Sequence, residues 1–205
     1  MKILELFCGT KSIGKVAKAR GHEVYSVDID VIHEPDLVAN ILTMDLAVLP
    51  WKPDVIWASP PCTTFSVASM GKHWTGGHRA YIPKTKAAIH GLKLMARTKG
   101  IILALKPKLW FIENPRGVMR KVIGLEKYQH TITYCQYGDS RMKPTDIWTN
   151  AKWTPRPCCH NGDTCHEAAP RGSKTGTQGI KGAIGRGVIP EALCMEIIKI
   201  SEAQI

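Results

Sequence analysis

Ten residues constrain this chain most: Trp57-Ala58-Ser59-Pro60-Pro61-Cys62-Thr63-Thr64-Phe65-Ser66. They overlap the short apolar run Asp54-Val55-Ile56-Trp57, which reads as a buried strand. Two successive prolines end that strand, because each fixes φ and removes a backbone N–H. A cysteine follows at once, at the tip of a stiff turn. Ligands of open α/β sheets bind at the carboxyl ends of strands, which suits a nucleophile there. A lone thiol is also a common core residue. The ten residues alone support both readings equally.

The same strand-then-polar-turn pattern recurs along the chain. Lys2 to Phe7 reads as a strand, Gly9 and Thr10-Lys11-Ser12-Ile13-Gly14 as a turn, and Val16, Ala17 and Ala19 as helix. A glycine turn before a helix lets a ligand approach the backbone and meet the helix N-terminus. His22 to Ile29 is a second strand, with Asp28 near its end. An acid about 20 residues after such a turn is placed either to bind ribose hydroxyls or simply to shape a turn. Leu37 to Ile41 reads as a third strand, and Lys84 to Lys106 as the longest helix, with Ala88, Leu92, Met95, Ile102 and Leu105 on its core face. Leu109 to Ile112 is a strand that stops at Glu113-Asn114-Pro115, and Val118 to Leu125 is a short helix. Gln129 to Gln136 and Thr145 to Asn150 are two more strands, and Leu193, Ile197 and Ile200 give a last helix its apolar face. The alternation predicts one α/β domain: a mostly parallel central sheet with helices on both faces. Residues 69–79, rich in glycine, basic and aromatic groups, read as a mobile lid or an ordinary exposed loop.

The 205 residues carry a formal net charge of +11, which fits a polyanionic partner, nucleic acid first. Seven scattered cysteines and a strand starting directly after Met1 predict free thiols in a reducing, cytoplasmic compartment. No apolar run is long enough for a membrane span.

Taken together, these motifs resemble the DNA cytosine-5 methyltransferases over residues 1–150 and the C-terminal helix. Leu6-Phe7-Cys8-Gly9 resembles the family's first, cofactor-binding motif, and Pro60-Pro61-Cys62 with Phe65-Ser66 its catalytic motif. Glu113-Asn114 is similar to the sixth motif, Gln136-Tyr137-Gly138 to Asn150 to the eighth, and Gly185 to Leu193 to the last. The resemblance implies a Rossmann-like, S-adenosylmethionine-dependent methyltransferase fold. It implies a core in residues 1–150, completed by residues 183–205, with a reduced target-recognition region in residues 151–182. It implies methyl transfer to C5 of cytosine in DNA through a covalent Cys62 adduct at C6. In that chemistry a thiolate at C6 makes C5 nucleophilic, and an acid at N3, Glu113, stabilises the charge that develops. A cationic pocket is expected to lower the Cys62 pKa, and burial to raise that of Glu113. Cofactor contacts are expected from Phe7, Cys8, Gly9, Thr10, Asp28, Ile29, Asn40, Ile41, Pro60 and Gly187. Nucleic-acid contacts are expected from Ser66, Lys72, Arg79, Asn114, Arg171 and Lys174.

The chain also departs from the family pattern. Lys11-Ser12 stands where glycines are usual, and Asn40 where an Asp is usual. The eighth motif's two arginines fall at Lys143 and Thr145; a threonine cannot replace a guanidinium fork, so Lys143 and the nearby Arg141 become the candidate catalytic cations. The recognition region shrinks to roughly thirty residues, the length of a long loop, which predicts loose target choice or a specificity-providing partner protein. Within it lie Cys158, Cys159, Cys165 and His166, candidate zinc ligands whose spacing is not that of a standard finger. The expectation is therefore no metal, with solvent-facing thiols instead. Two other readings stay open: a non-catalytic nucleic-acid-binding relative, and a methyltransferase acting on RNA.

Overall fold

The computed structural model describes residues 1–77, 80–168 and 183–205. Its centre is a seven-stranded sheet. The strands are β1 (Lys2–Leu6), β2 (Glu23–Asp28), β3 (Leu37–Val38), β4 (Val55–Ala58), β7 (Leu109–Pro115), β8 (Gln129–Thr133) and β9 (Pro144–Thr149). Their order is β3-β2-β1-β4-β7-β9-β8, parallel from β3 to β7 and antiparallel at the β9 and β8 edge. Between β4 and β7 the short helix α2 (Met70–His73) and a small hairpin, β5 (Trp74–Thr75) with β6 (Ile82–Pro83), lie off the sheet. The remaining helices are α1 (Ser12–Ala19), α3 (Lys86–Leu105), α4 (Met119–Val122), α5 (Ala183–Gly187) and α6 (Glu191–Gln204).

The two faces follow from the period-2 alternation of side chains along each strand. Ile3, Val55, Trp57, Leu109 and Phe111 meet Ile13, Val16 and Ala17 of α1 and Leu193, Ile197 and Ile198 of α6. Leu4, Leu6, Ile56, Ala58 and Ile112 meet Ala88, Met95, Ile101 and Ile102 of α3. Both faces of the parallel strands are thus covered, which is why those strands read as continuous apolar runs. Trp57 and Phe111 stack at 6.0 Å between ring centroids beneath the first layer. The C-terminal α6 packs beside α1, fastened by the Arg20–Glu202 ion pair at 2.7 Å.

Several expectations need correction. β3 is only two residues, because Asn40 begins a turn in which its carbonyl accepts Thr43 N and Met44 N. β7 does not stop at Glu113; its pairing with β9 carries it through Pro115, opposite Thr145. The strand expected through Gln136 ends at Thr133, and Tyr134–Tyr137 form a 3-10 turn. The helix expected over 118–125 is the four residues of α4. The longest helix is α3, which begins at Lys86 rather than Lys84 because Thr85 caps it by accepting Ala88 N at 3.2 Å. Among the described residues no helix is long and apolar enough to cross a membrane.

Candidate active site

Parallel pairing aligns the ends of β1, β4 and β7: Leu6 lies opposite Ala58, and Ala58 opposite Ile112. The polar turns after them therefore emerge along one edge of the sheet. Asn114, fully buried, donates from Nδ2 to the Pro60 carbonyl at 2.7 Å and ties the Pro-Pro turn to β7. The chain after Cys62 folds back, with Phe65 N and Ser66 N both donating to the Cys62 carbonyl, at 2.9 and 3.0 Å. Phe65 is 1% exposed and packs on Trp74, whose Nε1 donates to Thr64 O at 2.6 Å. Ser66 bridges Gly117, where a Cβ would stand 2.1 Å from the Phe65 carbonyl oxygen; only glycine allows that approach. The turn carrying Cys62 is thus held from three sides.

Glu113, 6% exposed, sits one residue before Asn114 on the opposite face of β7. It accepts Tyr134 OH at 3.1 Å and also bonds Ser59. Burial pushes the Glu113 carboxyl above its usual range, against Lys143 and Tyr134, which pull it down. The direction expected for Glu113 is therefore present. The direction expected for Cys62 is not. Burial pushes the thiol up and the Glu113 charge adds to this, while Lys143 and Arg186 pull it back only in part. The cations are there, but removal from water outweighs them.

Lys143 is the cation that acts on both groups. Its backbone is left-handed, with φ of 30°; its Nζ lies 4.3 Å from the Tyr134 ring centroid and donates to Arg186 O at 2.9 Å. Burial pushes its own pKa down and Glu113 pulls it up. Arg141 does a different job from the one expected. Its guanidinium is paired with Asp139 and reaches the carbonyls of Gly185 at 3.4 Å and Val188 at 3.5 Å. The eighth-motif cations therefore hold the segment containing Gly187 by its carbonyls. Thr145 is fully buried and donates to Lys143 O at 3.1 Å.

The loop after β1 carries three left-handed residues, Phe7 (φ 56°), Gly9 (φ 46°) and Lys11 (φ 55°). Lys11 thus takes the conformation for which the resemblance leads one to expect glycine, and its ammonium reaches the Glu34 carbonyl. Asp28 accepts Gly9 N on one oxygen and Asp30 N on the other, each at 3.0 Å. A carboxylate has about four lone-pair directions, so acceptor capacity remains toward the cleft. Thr10 Oγ1 bonds Ser12 Oγ at 2.8 Å, and Ile189 N donates to the same Ser12 oxygen at 3.2 Å. The last motif so returns to the first. Ile29 is 67% exposed beside Asp28, and Gly187 is also exposed.

Some expected site residues are placed otherwise. Ile41 and Cys8 are core residues at 3% and 6% exposure. Asn40 is exposed, and its side-chain oxygen caps Leu42 N at 3.0 Å. Asn114 is buried against Pro60, so it positions the turn and cannot meet a nucleic acid. In the expected lid, His73 and Trp74 are buried, and His73 Nδ1 bonds Thr85 Oγ1 at 2.8 Å. Lys72 is exposed, while Ser66 is half-buried with its hydroxyl on Ser69. Arg79, Arg171 and Lys174 lie outside the described residues. Cys158 is separate from the other metal candidates, with Sγ donating to Thr131 O at 3.1 Å, whereas Cys159, Cys165 and His166 gather around Cys135. Tyr134 and Cys135 were missed in the sequence because both sit in a stretch that reads as plain strand. A thiol one residue after an aromatic was the only signal.

No family model matches the chain. It is 34% identical over 169 residues to the "Probable DNA (cytosine-5)-methyltransferase" of Frog virus 3 (isolate Goorha), covering 80% of this chain and 78% of that protein. It is 24% identical over 137 residues to the type II methyltransferase M.AgeI of Thalassovita gelatinovora, covering 58% of this chain and 29% of that one. Among solved structures, an Entamoeba histolytica methyltransferase superposes with a TM-score of 0.54 at 15% identity, covering 76% of this chain and 55% of that one. The chain thus spans about half the length of that solved structure, and the likeness is one of fold. The viral similarity runs far past the short motifs, through about four-fifths of both chains, and on that ground this chain belongs to the DNA (cytosine-5)-methyltransferase family.

Proposed function

We propose that this chain methylates C5 of cytosine in DNA, with Cys62 as the covalent nucleophile, Glu113 as the acid at N3 and Lys143 as the cation shared by both. The observation that carries the reading is the Asn114–Pro60 hydrogen bond, which joins the turn bearing Cys62 to the strand bearing Glu113. A base seated between them meets the Cys62 thiol on one side and the Glu113 carboxyl on the other. The thiolate adds to C6, and the electron pair displaced from the C5–C6 bond makes C5 nucleophilic. Glu113 keeps the developing negative charge at N3 small by donating its proton there. After C5 has gained a methyl group, its proton passes to solvent and the pair of that bond re-forms the C5–C6 double bond, the C6–S pair leaves with Cys62, and N3 returns its proton to Glu113. Tyr134 and Ser59 hold the Glu113 carboxyl in place throughout. A base in duplex DNA must first be flipped out of the stack.

S-adenosylmethionine, when bound, supplies the electrophilic methyl group. The residues present fit it: a left-handed loop after β1, the N-terminus of α1, and an acid with spare acceptor capacity at the end of β2. Phe7, Gly9, Thr10, Asp28 and Ile29 would hold it, with the backbone of Cys8, Asn40, Pro60 and Gly187 around them. Arg141 is a positioning residue that keeps the Gly187 segment closed on the first motif. Residues 1–150 and 183–205 form the catalytic core, and residues 151–182 a reduced recognition region. Ser66, Lys72, Arg79, Arg171 and Lys174 contact phosphates more than bases.

The test is incubation of the protein with methyl-labelled S-adenosylmethionine and DNA, RNA or dCTP. Label in the C5 position of DNA cytosine, lost in Cys62→Ala while cofactor binding persists, is the expected result. Label in RNA alone would move the substrate class, and no label in any arm would leave a binding protein.

A further inference from the structure

We propose that Cys135, Cys159, Cys165 and His166 form a structural zinc site that fastens the 151–168 segment to the wall of the active site. The four candidate ligand atoms all lie within 4.8 Å of one another. Cys165 Sγ is 3.7 Å from Cys135 Sγ and 3.5 Å from His166 Nδ1, and Cys159 Sγ is 3.7 Å from the same nitrogen. Tetrahedral zinc with Zn–S of about 2.3 Å and Zn–N of about 2.0–2.1 Å needs edges of about 3.8 Å between sulfurs and about 3.5 Å between sulfur and nitrogen. Three measured edges therefore stand near the required length. The Cys135–Cys159 edge, 3.0 Å, must open by about 0.8 Å to reach the tetrahedral sulfur–sulfur edge. Three cysteines and one histidine are a common donor set for closed, structural zinc.

The surrounding backbone brings these groups together without a metal. Asp163 Oδ2 accepts His160 N at 2.7 Å, His160 O accepts Asp163 N at 3.2 Å, and Gly162 takes φ of 98°. This turn reverses the chain so that Cys165 and His166 return to Cys159. Thr133 Oγ1 accepts Cys159 N at 3.1 Å, and Glu167 N donates to Ser140 O at 2.8 Å, so both ends of the segment are moored. Gln136 Nε2 donates to Cys165 Sγ at 3.4 Å, as outer partners of metal thiolates do. Cys135 and Cys159 are 8% and 6% exposed, whereas the segment from Arg156 to Glu167 is otherwise mostly exposed. A stretch with so little apolar interior gains order from a metal cross-link.

The site's position gives it a second consequence. Cys135 follows Tyr134, the residue whose hydroxyl meets Glu113, inside the same 3-10 turn. Fixing the thiolate fixes that turn. Binding converts three thiols to thiolates, releases three protons to solvent, and leaves a site of net charge −1 with neutral His166 bound through Nδ1.

The experiment uses the full chain, purified without chelator from zinc-supplemented culture, with metal measured by plasma mass spectrometry. About one zinc per chain is expected, falling to near zero in Cys135→Ser and Cys165→Ser, while Cys158→Ser keeps it. Should those variants fail to fold, cobalt exchanged into the wild-type protein gives a second readout. Intense visible bands of tetrahedral cobalt thiolate support the site; pale octahedral bands or none overturn it. Metal-free wild-type protein, a Cys135–Cys159 disulfide in peptide mapping, or loss of zinc in Cys158→Ser overturns it as well.

Discussion

The proton on Cys62 is the first obstacle for the proposed chemistry. The thiolate is the attacking species, and burial together with the Glu113 charge holds the thiol above its usual pKa. The sign is then fixed: the competent fraction of free enzyme grows as pH rises toward that elevated pKa. The acid limb of kcat/KM is predicted to lie on the alkaline side of that of a free cysteine. Lys143 opposes the shift, so Lys143→Ala moves the limb further up and Lys143→Arg brings it back. A single-turnover pH profile whose limb does not move between these variants contradicts the assignment of Lys143. Glu113 is raised by burial and keeps its proton longer than an exposed carboxyl. Glu113→Gln is predicted to slow methyl transfer by about 10²–10⁴-fold, with cofactor affinity by calorimetry unchanged; a loss under tenfold contradicts its role. Cys62 and Glu113 stood out as candidates in the sequence because the apolar runs before them give way to Pro60-Pro61-Cys62 and to Glu113-Asn114-Pro115. The Cys62 pKa was not legible, since it depends on how deeply the turn is buried, and sequence counts cations without depth.

At the scale of elements, the turn bearing Cys62 is held by backbone contacts that depend on the absence of a side chain. A Cβ at Gly117 would meet the Phe65 carbonyl oxygen at 2.1 Å. Gly117→Ala is predicted to cost about 1–3 kcal/mol, as overpacking does, and to lower kcat by displacing the Cys62 turn. Gly100 is the contrast: it lies inside α3 with open space around it, so Gly100→Ala should stabilise by about 0.5–1 kcal/mol. Thermal or denaturant unfolding of both variants checks the pair, and equal effects contradict this account of the turn. The helices α1, α3 and α6 and the strands β1, β2 and β4 were legible because covering both faces of the sheet leaves apolar runs in the sequence. The end of β7 was not, because Glu113 and Asn114 are strand residues held by antiparallel β9, a long-range pairing that local pattern does not carry. The turn at Tyr134–Tyr137 was hidden for the same reason.

At the scale of the molecule, a net charge of +11 and the short recognition region proposed for residues 151–182 point the same way. Binding through phosphates releases counterions, so DNA affinity is predicted to fall about 10³-fold or more between about 50 and 200 mM salt. Sequencing of bisulfite-treated DNA, methylated by the pure protein, should show a target of a dinucleotide or less; affinity indifferent to salt, or a sharp longer site, contradicts this. Residues 151–168 were the least legible part. They have no periodicity, and Trp153 and Arg156 anchor them through Glu196 of α6, at 2.9 and 3.2 Å, across forty residues of sequence. The covalent role proposed for Cys62 is tested most directly by trapping. A duplex carrying 5-fluorocytosine is incubated with the protein and S-adenosylmethionine, and the products are resolved in denaturant and mapped by mass spectrometry. Fluorine at C5 cannot leave as a proton does, so Cys62 cannot be eliminated. The prediction is a protein–DNA adduct linked at Cys62 and absent in Cys62→Ala; methylated DNA with no adduct, or an adduct that survives in Cys62→Ala, contradicts it.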